Sequence, residues 1–213
     1  MSARTNRICL AAAALLLSQS ALAQEPARGS LLISTAALAG TMFEETVLLV
    51  VHHDDDGSIG IMINRPTNLN PAQIFPDIEG AASYTGVVYF GGPLSPGRPF
   101  LIARRSDALE GLSIRIADDV YLSGDVSVLS RLDADQRSQS FSRIYAGNAQ
   151  WGPGQLASEI DSGAWEVALA NASDVFTTSP EELWSELLNA PHGTDIAGAP
   201  NVAESNEARL AAR

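Results

Sequence analysis

Residues 51–66 read VHHDDDGSIGIMINRP: two adjacent histidines, three aspartates, a glycine, an apolar run, then Asn-Arg-Pro. Imidazole and carboxylate at that density could hold a metal ion or run acid–base chemistry. Strand geometry works against a metal. Successive side chains on a strand point to opposite faces, so His52 and His53 cannot readily share one ion. A helical zinc site would place two histidines on one face, as in H-E-x-x-H, and that pattern is missing. The EF-hand fails as well. Asp54, Asp56 and Gly57 do not sit at that loop's spacing, and no Glu follows at its twelfth position. What is left is a polar hairpin tip, with no metal expected.

Other chemistry is equally sparse. No G-x-S-x-G marks a serine nucleophile, and the three histidines (His52, His53, His192) define no triad by spacing. Gly91-Gly92-Pro93 follows an apolar strand but lacks G-x-G-x-x-G and a helix signature after it. It reads as a tight turn that needs glycine backbone angles. Asn64-Arg65-Pro66 closes a strand with two polar side chains. Arg65 could pair with a carboxylate or hold an anionic ligand. The plainer alternative is an Asn that bonds local backbone and an Arg in a surface ion pair. Cys9 is the only cysteine, and all 13 basic residues are arginine. The absence of lysine removes Schiff-base chemistry and a phosphate-loop lysine. No cofactor is expected.

The chain start carries an address. Arg4 and Arg7 precede an apolar block over 8–17, then Ala21-Leu22-Ala23 offers a small-x-small cleavage site. That order predicts a secretory signal peptide over 1–23, with the mature chain beginning near Gln24. The expected location is periplasmic or secreted, with no membrane insertion after cleavage. Loss of Arg4 and Arg7 leaves 11 positive against 25 negative side chains, about −14. Such a field opposes nucleic acid. The expected partner is a protein or a small ligand.

The elements that must position these residues are mainly strands. After a linker over 24–29, apolar runs predict strands at Ser30–Ser34, Thr46–Val51, Ser58–Asn64, Gly86–Phe90, Pro99–Ala103, Ser113–Ile116, Val120–Leu122 and Phe141–Gly147. Trp165–Leu169 and Asp174–Thr177 read as short strands. The Asp54–Gly57 turn joins two strands into a hairpin. Asn70-Pro71 opens a short helix through Phe75. Asp125 caps a helix carrying Val126, Leu129 and Leu132. Trp151-Gly152-Pro153-Gly154 breaks the chain before a helix from Gln155 to Ile160. Ser179-Pro180-Glu181-Glu182 has the form of a capping box starting a helix with Leu183, Trp184, Leu187 and Leu188 on its apolar face. Strands outnumber helices without regular alternation, which predicts an α+β domain over 30–190. The tail over 191–213 shows no periodicity and is expected to be disordered. Truncation at Pro191 is therefore predicted to move the melting temperature by no more than a few degrees in a thermal scan.

Several stretches together resemble the YqgE/AlgH family. They are Leu31-Leu32-Ile33, Phe43 with Thr46, His53 before the acidic turn, Gly57 and Gly60, and Ile63-Asn64-Arg65-Pro66. Gly91-Gly92-Pro93, Arg98, Phe100, Ala146-Gly147, Trp151-Gly152-Pro153-Gly154-Gln155-Leu156 with Glu159, and Ser179–Trp184 continue the likeness. It covers about residues 29–190. The resemblance implies a single α+β domain with a bifurcated mixed β-sheet folded into a pseudo-barrel and a few flanking helices. It brings no catalytic residues and no established activity. The candidate ligand-binding positions are His53, Asn64, Arg65, Gly91, Gly92, Arg98 and Trp151. The chain departs from the family where A-G-Y-A-G-W is usual: here Asn148 and Gln150 replace an aromatic and a glycine.

Three functions compete. The first is an exported, non-catalytic binding or interaction module. The second is a hydrolase built on His53, Asn64 and Arg65, which requires those side chains to converge. The third is the transcriptional regulation that the family name suggests, which export and acidity both oppose.

Overall fold

The computed structural model describes residues 25–190. The expected signal peptide over 1–23 and the expected disordered tail over 191–213 lie outside the described residues. The first strands are β1 (Ser30–Ser34), β2 (Val47–Asp54) and β3 (Gly57–Met62). β2 is apolar without alternation because both of its faces are covered. Val47, Leu49 and Val51 face one core cluster, whereas Leu48 and Val50 face another. The β2–β3 hairpin pairs Asp54 with Gly57. The Asp54 carboxylate accepts the Asp56 amide at 2.9 Å, which fixes the turn.

Asn70 then caps α1 (Pro71–Ile74) in a capping box completed by Gln73. Strands β4 (Val88–Phe90), β5 (Leu94–Ala103), β6 (Ile114–Ala117) and β7 (Val120–Ser123) follow. A 3₁₀ helix over Val126–Arg131 leads to the long strand β8 (Ser142–Trp151). The chain continues with α2 (Gln155–Asp161), β9 (Trp165–Leu169), α3 (Ala172–Val175) and α4 (Leu183–Asn189).

The nine strands form one sheet in the order β6-β7-β5-β8-β3-β2-β1-β9, with β4 branching from β8. β8 is the branch point. Its Ile144–Ala146 stretch pairs with β4 in parallel, its 149–151 stretch pairs with β3, and β5 runs antiparallel along it from Ser142 to Asn148. The sheet curls into a half-barrel that brings β6 back to the start of β1. A Cβ on Gly29 would lie 2.5 Å from the Ile116 carbonyl oxygen. Inside the curl sit Leu31, Ile61, Ile102, Tyr145 and Phe176. α2 covers the outer face through Leu156, against Trp151 and Trp165. No helix among the described residues is long and apolar enough to cross a membrane.

Several sequence expectations shift. Asp174–Thr177 is not a strand: Asn171 caps α3 by accepting the Asp174 amide at 3.0 Å, so Asp174 and Val175 close that helix and Phe176 follows as its C-cap. The Ser179–Glu182 box does not form. That stretch is a turn closed by Glu182 N–H to Ser179 O and Leu183 N–H to Pro180 O, and α4 begins only at Leu183. The i→i+3 bonds consume the residues that would have made the first α-turn. The helix that Asp125 caps is a 3₁₀ helix over Val126–Arg131, and Leu132 follows it in extended backbone. The apolar period of three matches the three residues per turn of that helix. β8 runs through to Trp151, so the chain breaks after that residue rather than at it.

Candidate functional site

The conspicuous His-Asp cluster is a hairpin end. His53 Nδ1 lies 2.7 Å from Ser58 Oγ across the β2–β3 pair, and His52 Nε2 lies 2.9 Å from Asp54 Oδ2. The two histidines thus engage different partners. Among the described residues no three His, Cys, Asp or Glu side chains converge as a metal site. The His53–Ser58 pair has the atoms of a base and a nucleophile. Yet Ser58 is buried, and no carboxylate bonds His53 among the described residues. Asn64 and Arg65 lie beyond the opposite end of β3, roughly 20 Å of strand away. The three residues of the hydrolase reading therefore do not meet.

Ile63-Asn64-Arg65-Pro66 and Gly91-Gly92 do meet. Phe90 N–H donates to Arg65 O at 2.8 Å, Met62 N–H donates to Gly91 O at 2.8 Å, and Pro66 bridges to Tyr89. Asn64 is buried and extends the β2 ladder with its side chain. Its Oδ1 accepts Val47 N–H at 2.9 Å and its Nδ2 donates to Glu45 O at 3.0 Å. Asn64→Ala is expected to strand both groups and destabilise the fold by about 2–4 kcal/mol in urea unfolding. Arg65 donates to the Glu44 carbonyl and to Thr46 Oγ1, tying down the loop before β2 instead of forming an ion pair. Gly91 and Gly92 cross β8 so closely that a Cβ on either would overlap the backbone of Gly147 or Asn148. The glycines serve close approach at a chain crossing, beyond the turn angles expected of them.

Trp151 belongs to a second structural knot. The Glu159 carboxylate accepts the indole N–H of Trp151 and of Trp165, each at 2.9 Å, while Gln155 Nε2 bonds its other oxygen at 2.9 Å. The two indoles pack edge to face at 6.2 Å. Glu159→Leu leaves two buried N–H donors without an acceptor, each worth about 1–3 kcal/mol. The expected midpoint loss in urea is correspondingly large, with Glu159→Gln much milder because its carbonyl oxygen still accepts. Arg98 stands apart, exposed in the irregular stretch of β5 between Leu94 and Pro99.

The feature that sequence reading passed over is Arg143. It is only 2% exposed, deep in the curl on β8. Its Nε donates to Gln139 O at 3.2 Å, one Nη to Val175 O at 2.8 Å and the other to Thr177 O. Its guanidinium lies 4.9 Å from the Tyr89 ring centre and 5.8 Å from that of Phe176. Phe176 carries a second guanidinium, Arg104, at 4.9 Å, which is paired to Asp119 at 2.8 Å. A pocket of about 330 Å³ opens at this end of the curl, with Tyr89, Gln139, Arg143, Phe176, Thr177 and Glu181 in its wall. Pro66, Ser140, Thr178 and Pro180 complete the rim, so two of the stretches that carry the family resemblance reach this pocket. Burial pushes the Tyr89 phenol above its ordinary range, Arg143 pulls it back, and Glu181 adds to the rise. Burial raises Tyr145 likewise, against Arg143. That guanidinium is close enough to act on Tyr145 but makes no hydrogen bond of acceptable geometry with it. A signal was present: Arg143 stands in phase with Tyr145 on an alternating strand, where an apolar residue is the norm.

A curled, bifurcated sheet with a polar pocket at its mouth and short flanking helices defines an α+β half-barrel. The chain belongs to the AlgH-like family, whose sequence profile matches residues 31–195. It is 37% identical over 184 residues to a UPF0301 protein of Streptomyces coelicolor, covering 79% of this chain and 88% of that one. A UPF0301 protein of Cytophaga hutchinsonii is 30% identical, covering 78% and 90%. The fold is similar to the solution structure of the AlgH protein from Pseudomonas aeruginosa, with TM-score 0.61 and 27% identity over 79% of this chain and 95% of that one. The crystal structure of protein DIP2367 from Corynebacterium diphtheriae gives TM-score 0.63 at 25% identity, covering 76% and 86%.

Proposed function

We propose that this chain is an exported, non-catalytic binding module that takes its ligand at the Arg143 pocket. The carrying observation is the buried guanidinium of Arg143, which has no carboxylate partner among the described residues. A buried charge is costly unless compensated, and three carbonyls with two aromatic faces supply only dipoles. No histidine lines the pocket, its hydroxyls belong to serine, threonine and tyrosine, and its one carboxylate, Glu181, sits exposed at the lip. Those groups suit recognition better than turnover. The export half rests on the leader-like residues 1–23, and the acidic charge keeps nucleic acid an unfavourable partner.

Fractionation of cells expressing the intact gene, followed by native mass spectrometry, tests both halves. The expected species is a periplasmic chain beginning near Gln24, carrying a small mass that leaves on denaturation. Full-length protein held in the cytosol would overturn export. A bare polypeptide mass in every fraction would overturn binding.

A further inference from the structure

Arg143 is the one charged side chain among the fully buried described residues. Its three nitrogens each donate once, to the carbonyls of Gln139, Val175 and Thr177. A guanidinium carries five N–H groups, so two are left over from those bonds. Beside it the Tyr145 hydroxyl is buried and has no hydrogen-bond partner. Buried polar groups are rarely left so in folded proteins. The Tyr145 hydroxyl lies behind the wall, so the receptor for an anionic head group is the Arg143 cation itself, without counter-ion and with N–H groups to spare in the pocket lining.

The rest of the wall narrows the class. Glu181 is exposed at the lip and near enough to Tyr89 to influence its phenol. A dianion entering past Glu181 meets repulsion, whereas a cationic group beside the carboxylate of the ligand is attracted. Tyr89, Phe176 and Pro180 give an apolar wall for a side chain. The volume of about 330 Å³ is at the small end of ligand sites and suits a small molecule.

We infer that the pocket takes a small zwitterion of amino-acid type, its carboxylate against Arg143 and its ammonium towards Glu181. The inference rests on the pocket being the binding site proposed above.

Calorimetry on the mature chain with five probes tests it: leucine, 4-methylpentanoate, isoamylamine, succinate and inorganic phosphate. Leucine is expected to bind most tightly, 4-methylpentanoate more weakly, and the amine and the two multivalent anions not measurably. Glu181→Gln, a change at an exposed residue, is expected to weaken leucine roughly threefold and leave 4-methylpentanoate unweakened. Arg143→Lys, checked for fold by circular dichroism, is expected to abolish both. Equal binding of leucine and 4-methylpentanoate would overturn the inference, as would succinate or phosphate binding best, or no heat from any probe. If native mass spectrometry still finds a bound mass in that last case, the ligand class fails while the binding module stands.

Discussion

Gly147→Ala will destabilise the protein by about 4 kcal/mol or more, or leave it unfolded. Gly147 has φ +81°, where an L side chain is strained, and a Cβ there would overlap the Gly92 carbonyl oxygen and lie 3.0 Å from that of Leu94. Neither obstacle is the end of a flexible side chain, so relief requires β8 and the Gly91-Gly92 crossing to separate. That crossing is where the sheet bifurcates, since Gly91 N–H donates to Ala146 O at 2.7 Å while Gly91 O receives Met62 N–H. Gly91→Ala meets the same backbone from the other side and should behave alike. Gly97 is the control, because a methyl group there would meet nothing within 4 Å and its φ is ordinary. Gly97→Ala should stay within about 0.5 kcal/mol of the parent. Urea midpoints of the three variants decide the matter. A Gly147→Ala protein as stable as Gly97→Ala would mean that the strands do not cross as described.

Arg143→Met is expected to cost about 3 kcal/mol, with a local signature. The substitution keeps an apolar stem but strands the Val175 carbonyl in a buried site and those of Gln139 and Thr177 in part-buried ones at the pocket wall. Each buried acceptor left unpaired costs about 1–3 kcal/mol, offset in part by losing the buried charge itself. Two of the three carbonyls belong to the segment between β9 and α4, and the Tyr89 ring loses its cation while Phe176 keeps Arg104. Hydrogen exchange should therefore rise first over 172–178, with amides of β2 still protected to global unfolding. Uniform loss of protection across the sheet would contradict that clamp role.

Much of the fold was legible because its signals are local. The unbroken apolar run of β2 reports a strand covered on both faces, and Asn70 with Pro71 announces α1. What was not legible depends on which of two local hydrogen-bond patterns wins. Ser179–Glu182 has the composition of a capping box, yet i→i+3 bonds close it as a turn. Asp174–Thr177 has strand-forming residues, yet Asn171 caps a helix that takes its first two residues. The candidate residues divide in the same way. Trp151, Asn64 and Gly91 stand out because they lie in the stretches that carry the family resemblance, and the structure uses them for hydrogen bonding and close approach. Arg143 was missed because an arginine on an alternating strand looks solvent-facing. Only the curl of the sheet, set by pairings distant in sequence, turns that face inward.

The claim that this protein binds through Arg143 has one direct test. Arginine side-chain Nε–H signals of the mature protein are followed by NMR while leucine is added. The account predicts a saturable shift of the Arg143 signal together with the Thr177 and Thr178 amides, with Arg65 and Arg98 unmoved. An Arg143 signal that stays fixed in a folded protein, while other arginines shift, would contradict it.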